Sequence, residues 1–242
     1  MEKKPFMYKL LLSSIFFFIC SNFIYAQHIK LDKKEMGFLA AQEKVNVVFT
    51  YNDLHFNADN FTESEFLQYI KEKIAKKLNW EEALDWEEKH FAAKDSIYPR
   101  IFVEALNNRI KNYDHPIEFV WNDPSLKYTM KVQTDWMYFG YDAGIAEQPA
   151  KGNLKISFYE TSTPEKIISE IEVERAEGFN VINNFSFYNI SYNGSIGINS
   201  KVWLDKFLEA NENHPKPSLI RMGTMYDKAA VRFGMTLKRV LD

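Results

Sequence analysis

The chain has 242 residues, of which 46% are hydrophobic and 16% aromatic, and a formal net charge of −3. That composition is globular and contains no low-complexity segment. A mildly acidic chain whose basic clusters are all short is a poor candidate for nucleic acid, so that class of partner is set aside.

The first element is an export signal. Lys3, Lys4 and Lys9 form a basic flank, an apolar run follows from Leu10 to Ile19, and Ala26 supplies the small residue before Gln27. Asn22 interrupts the run well before the roughly 20 apolar residues that a membrane span needs. Residues 1–26 are therefore expected to be a cleaved signal peptide, and no transmembrane segment is expected after cleavage. Lipid attachment at Cys20 is disfavoured, because Ile19 stands where a lipoprotein signal wants a small residue. Cleavage leaves 216 residues, removes three lysines and one glutamate, and so moves the formal charge from −3 to −5. It also removes the only cysteine, so the expected domain, residues 27–242, must be held by its core and not by disulfides.

Residues 44–51 (KVNVVFTY) are β-branched and aromatic and predict a strand. Thr62 and Glu65 have the spacing of a capping box, and Phe66, Ile70, Ile74 and Leu78 then recur every fourth residue on a helix. Asn79 with Glu82 predicts a second cap, opening a helix with Trp80, Leu84 and Phe91 at helical spacing. A third helix is expected over residues 96–111, with Pro99 in its first turn and Ile97, Ile101, Ala105 and Ile110 inward. The period then changes. Residues 128–141, 153–160 and 167–175 alternate and are separated by turn residues, which predicts an antiparallel meander with one buried face. Residues 185–192 add a candidate edge strand. Tyr226, Ala229, Ala230, Phe233, Leu237, Val240 and Leu241 fall on one stripe of a closing helix. The expected fold is α+β: a largely antiparallel sheet of four to five strands with helices packed on one face.

Candidate chemistry is sparse. Asp53, His55, Asn57 and Asp59 stand at every second position, so an extended segment would carry all four on one face, and Asp53, His55 and Asp59 form the candidate metal site. Calcium-loop spacing fails, because the glycine at the sixth place and the acid at the twelfth are both missing. Glu87 and His90 make a Glu-x-x-His pair, but carboxylate-bridged bundles need a second copy and there is none, so a surface ion pair is expected. The loop Asn193-Gly194-Ser195-Ile196-Gly197 departs from the nucleophile-elbow pattern at its first glycine. The densest aromatic stretch is Trp136, Tyr138, Phe139 and Tyr141. Trp136, Tyr138 and Tyr141 are the candidate binding residues, able to stack on a sugar ring or anchor a partner, while most such residues simply fill a core.

Some of these features occur together in a known setting. A signal peptide ending in Ala-Gln is followed by a strand, Thr-Glu-x-Glu-Phe at 62–66 and a charged Trp-containing helix over 80–91. Tyr-Thr-Met-Lys-Val-Gln-Thr at 128–134, Pro149-Ala150 before a strand and Tyr-x-Lys-Ala at 226–229 complete the set. In this the chain resembles a family of uncharacterised exported proteins from Bacteroidota and, more remotely, the α+β periplasmic domains of envelope-assembly lipoproteins. The resemblance implies a periplasmic, outer-membrane-associated or secreted protein. The expectation is a non-enzymatic envelope module without a cofactor, binding an envelope protein or glycan. The alternative is a carboxylate- or metal-dependent hydrolase of envelope polymers.

Overall fold

The structure is a computed structural model that describes residues 29, 31–142, 147–178 and 215–242. The expected signal peptide, the edge strand at 185–192 and the loop at 193–197 lie outside the described residues. The described chain opens with helix α1 (Lys33–Met36), capped by the Asp32 carboxylate, and a 3-10 turn (Gly37–Ala41). Strand β1 (Lys44–Thr50) and two short strands, β2 (His55–Phe56) and β3 (Phe61–Thr62), lead into helices α2 (Glu63–Lys77), α3 (Trp80–Ala92) and α4 (Tyr98–Ile110). Strands β4 (Glu118–Trp121), β5 (Tyr128–Tyr138), β6 (Tyr141–Asp142), β7 (Glu147–Gln148), β8 (Lys151–Glu160) and β9 (Ile167–Glu177) follow, and α5 (Leu219–Leu241) closes the chain.

Both predicted helix starts are built from the expected side chains. Thr62 Oγ1 accepts from the Glu65 amide while the Glu65 carboxylate accepts from the Thr62 amide, and Asn79 Oδ1 accepts from the Glu82 amide at 2.9 Å. These bonds satisfy donors that the first helical turn leaves unpaired. The third helix begins at Tyr98 instead of 96, because a π turn (Ala93–Ile97) carries the chain out of α3 without a break.

The fold is α+β, with the helices on one face of the sheet, but the sheet is mixed instead of largely antiparallel. Its main order is β4-β1-β5-β8-β9, with β1 parallel to both β4 and β5, and β8 antiparallel to both of its neighbours. The parallel pairing follows from the connection. Three helices lie between β1 and β4, and a crossover of that length returns the chain in the same direction. Strand β4 escaped sequence reasoning because it is four residues long and its partner is remote. Asn107 of α4 donates to the Phe119 carbonyl and accepts from the Phe119 amide, both at 2.8 Å, so a helix side chain covers this outer strand.

Inward-facing Val47, Met130, Val132, Ile156 and Ile171 join Phe102 of α4 and Phe233 of α5 in one hydrophobic cluster. Aromatic contacts tie the layers, with Phe49 and Phe102 at 5.6 Å and Phe158 and Phe233 at 6.2 Å between ring centroids. Among the described residues the opposite face is polar and uncovered. There Lys155 pairs with Glu170 at 2.7 Å. No helix among the described residues is long and apolar enough to cross a membrane.

Helix α3 corrects one expectation. Trp80, Leu84 and Phe91 are exposed, whereas Ala83, Trp86 and His90 are buried. Both stripes have helical spacing. The second wins because Trp86 and His90 meet Phe66 and Phe139, and because Trp86 Nε1 donates to the Pro217 carbonyl at 3.0 Å.

Candidate functional site

The open face of the sheet carries a cleft of about 880 Å³ at the end of β5, and two backbone irregularities create it. Thr134 lies opposite Leu154 and Trp136 opposite Asn153, so Asp135 is an extra residue in β5. On the far side of β8, Leu154 lies opposite Val173 and Gly152 opposite Ala176, so Glu174 and Arg175 together face Asn153. Arg175 takes a left-handed conformation (φ 44°), and its amide donates to Asn153 Oδ1 at 2.8 Å. Two bulges thus flank one residue of the central strand. Bulges bend a sheet and re-aim side chains.

The β5 bulge decides which aromatics are available. Before it, Met130, Val132 and Thr134 face the core; after it, Met137 and Phe139 do. This change of phase turns Asp135, Trp136 and Tyr138 together onto the open face. The Trp136 and Tyr138 rings are nearly parallel, 10° apart with centroids at 6.3 Å. Trp136 Nε1 donates to the Asn57 carbonyl at 2.9 Å, and the Tyr138 hydroxyl donates to Gln148 Oε1 at 3.0 Å. Both rings are half-buried and line the cleft. Tyr141, the third expected aromatic, is 43% exposed and lies outside the lining, opposite Gln148 in the β6–β7 ribbon.

The cleft is fixed from beneath. Phe139 stacks on Phe66 (5.6 Å, 6°), and Phe66 stacks on Phe56 (4.3 Å, 2°). Contacts of this kind contribute about 0.5–1.5 kcal/mol each beyond the area they bury. Phe56 belongs to β2, whose other residue, His55, lies opposite Trp136 on the open face. The same packing therefore positions both walls.

The structure separates the three expected metal ligands. Asp53 and His55 line the cleft, while Asp59 is exposed and outside it. The segment is not extended as the every-second-residue reading requires. Asp53, Asn57 and Asn60 have φ of 55°, 58° and 51°, and only His55–Phe56 is strand. Asn and Asp tolerate this conformation, so the same residue types that suggested ligands are here making turns. Among the described residues no group of three or more His, Cys, Asp or Glu side chains could hold a metal ion. His55 Nδ1 lies 2.7 Å from the Asp53 carbonyl; a carbonyl only accepts, so Nδ1 is the donor.

The remaining lining is balanced in charge and rich in amides. Asp53 and Asp135 stand against Lys151 and Arg175, and Asn57, Asn60, Gln148 and Asn153 complete the walls. Burial raises the Asp135 carboxyl above its ordinary range, and its Oδ1 is a buried acceptor with no hydrogen-bond partner among the described residues. No family model, curated protein or solved structure matches this chain. Its site is read from its own chemistry.

Sequence reasoning singled out His90 but not the buried cluster it joins. Glu63 Oε1 accepts from His90 Nε2 at 3.1 Å and also pairs with Lys94. Glu87, the expected partner of His90, instead pairs with Lys71 of α2 at 2.6 Å. His90 is fully buried, Lys94 is 6% exposed, and the Lys94 ammonium stands 4.8 Å from the centre of the Tyr51 ring. Burial lowers the His90 imidazole, although its bond to Glu63 opposes the shift. Burial also acts to raise Glu63, but hydrogen bonds from His90 and Lys94 outweigh it and hold the carboxyl below its usual range. No substrate reaches a fully buried imidazole, so this cluster joins α2, α3 and the π turn and is not a reactive centre. The spacing of Trp86, His90 and Lys94, four residues apart, was its only trace in the sequence.

Proposed function

We propose that this protein is an exported, non-enzymatic binding module of the cell envelope, and that it holds an envelope component in the cleft between the two bulges. The export half of this reading rests on the basic flank, apolar run and small residue of residues 1–26. The binding half rests on one observation: a bulge turns Trp136 and Tyr138 outward as a parallel aromatic pair lining a large open cleft. Exposed aromatics at a concave polar site are a common anchor for ligands. Affinity capture from envelope extracts with the mature chain tests it. Trp136→Ala is expected to abolish capture while Trp80→Ala, on the exposed stripe of α3, leaves it intact. Equal capture by all three proteins would refute the reading.

One observation favours the hydrolase alternative: a carboxyl raised by burial, Asp135, shares the cleft with a second carboxylate, Asp53. A general acid needs the first property. Release of new reducing ends from envelope polysaccharide, abolished by Asp135→Asn, would establish that alternative and displace the non-enzymatic reading.

A further inference from the structure

Resting on the binding-module reading, we infer that the ligand is a neutral sugar chain, seated against Trp136 and Tyr138 with a hydroxyl donated to Asp135. Three features of the cleft select this chemistry over others. The first is charge. Among the described lining residues two acids, Asp53 and Asp135, are matched by two bases, Lys151 and Arg175, with no surplus of either sign. A phosphate-rich or strongly acidic polymer needs a surplus of cations, and a polyamine needs a surplus of acids.

The second feature is the kind of polar group. Asn57 and Asn60 each carry a donor and an acceptor, and Gln148 and Asn153, whose oxygens already accept from the Tyr138 hydroxyl and the Arg175 amide, add amide donors; hydroxyls can meet both kinds of group. Asp135 also lines the cleft and adds a carboxylate, which accepts from a ligand hydroxyl. Hydrogen bonds to a charged acceptor are stronger than those between neutral groups. Beside these groups stand two parallel rings, whose faces and edges suit the C–H surfaces of a sugar ring.

The third feature separates a sugar from a peptide. Extended peptides bind sheets by adding a strand to an open edge, where backbone groups are free. Here β5 is paired with β2 on one side and β8 on the other at the level of Trp136, so its backbone is already engaged. At that level β5 presents its side chains to a ligand. The volume of about 880 Å³ lies towards the upper end for small-molecule sites and accommodates several units of a chain.

The test uses the mature protein and soluble hexasaccharides of glucose, in both linkage anomers, and of N-acetylglucosamine. An acidic polygalacturonate serves as the charged control, and binding is read by calorimetry. At least one neutral hexasaccharide is expected to bind, and polygalacturonate to bind no better. Trp136→Ala is expected to weaken that binding at least about tenfold, and Asp135→Ala by about tenfold, through loss of the acceptor. Asp135→Asn keeps an acceptor oxygen and is expected to lose less than about threefold; it also guards against a misfolded alanine variant. Preference for polygalacturonate, or sugar binding indifferent to Trp136, overturns the inference. If envelope capture depends on Trp136 but the captured species is a protein, the sugar inference falls and the binding-module reading stands. If nothing is captured in a Trp136-dependent way, both fall.

Discussion

Replacing Glu63 by glutamine isolates the buried polar cluster. The side chain keeps its shape but loses the charge that faces the Lys94 ammonium and His90 Nε2. Removing one partner of a buried ion pair typically destabilises by about 3–5 kcal/mol, because the other charge is left uncompensated. Lys94 is almost fully buried, but the Glu63 side chain is 28% exposed and water reaches it. The loss should therefore lie at the low end, about 3 kcal/mol, or roughly a 150-fold shift of the folding equilibrium. For a chain of this size that lowers the melting temperature by roughly 6–12 °C. Pairing Glu63→Gln with Lys94→Met removes both charges and leaves a flexible apolar chain between the Tyr51 and Phe91 rings. The double variant should recover more than half of the loss. Urea denaturation of the four proteins, analysed as a double-mutant cycle, gives the coupling directly. A loss below about 1 kcal/mol for Glu63→Gln, or no recovery in the double variant, would refute the claim that this pair is effectively buried.

The same cluster has a pH signature. Glu63 is held below its usual range, so its stabilisation is full above about pH 4.5 and fades as pH falls through its folded value. His90 is also lowered, so the unfolded chain takes up a proton first and stability already falls as pH drops below about 6.5. Denaturation midpoints should fall steadily from neutral pH into acid, and a flat profile would contradict both shifts. Glu104 has the opposite sign. Burial raises its carboxyl and Oε2 has no partner among the described residues, so its penalty exists only where it is ionised. Glu104→Gln should stabilise the protein at pH 7 and leave it unchanged at pH 4, as read by thermal melts. Gly140 has φ +70°, and a Cβ there would stand 2.2 Å from the Gln148 carbonyl. Gly140→Ala should cost at least about 1–3 kcal/mol in a urea titration and displace Gln148 from the Tyr138 hydroxyl. Trp86→Phe removes the donor to the Pro217 carbonyl and should cost about 1–2 kcal/mol, whereas an unchanged midpoint would mean that this bond holds nothing.

Much of the fold was legible in the residues. Capping chemistry is local, and Thr62 with Glu65 and Asn79 with Glu82 start α2 and α3 as their spacing required. The closing stripe from Tyr226 to Leu241 is buried at every predicted position. Alternation also showed the buried face of β5 up to Thr134 and, through Leu154, Ile156, Ile171 and Val173, those of β8 and β9, because period-two patterning records burial directly. What failed involved a choice among equal local options. Helix α3 has two plausible inward stripes, and only the tertiary partners Phe66, Phe139 and Glu63 decide between them. Strand β4 is too short to carry a periodic signal, and its parallel pairing with β1 depends on a crossover of three helices.

The candidate site follows the same division. The sequence alone determined that Asp53, His55, Trp136 and Tyr138 exist as unusual polar and aromatic groups some 80 positions apart. It could not bring them together, because that takes the register of β2 against β5, which sets His55 opposite Trp136. Nor could it turn the aromatics outward. Simple alternation from Met130 puts Trp136 and Tyr138 in the core, and a single extra residue at Asp135 reverses that outcome. A bulge is a property of two paired strands. One strand's sequence does not contain it, so only the tertiary structure decided that these side chains form a cleft.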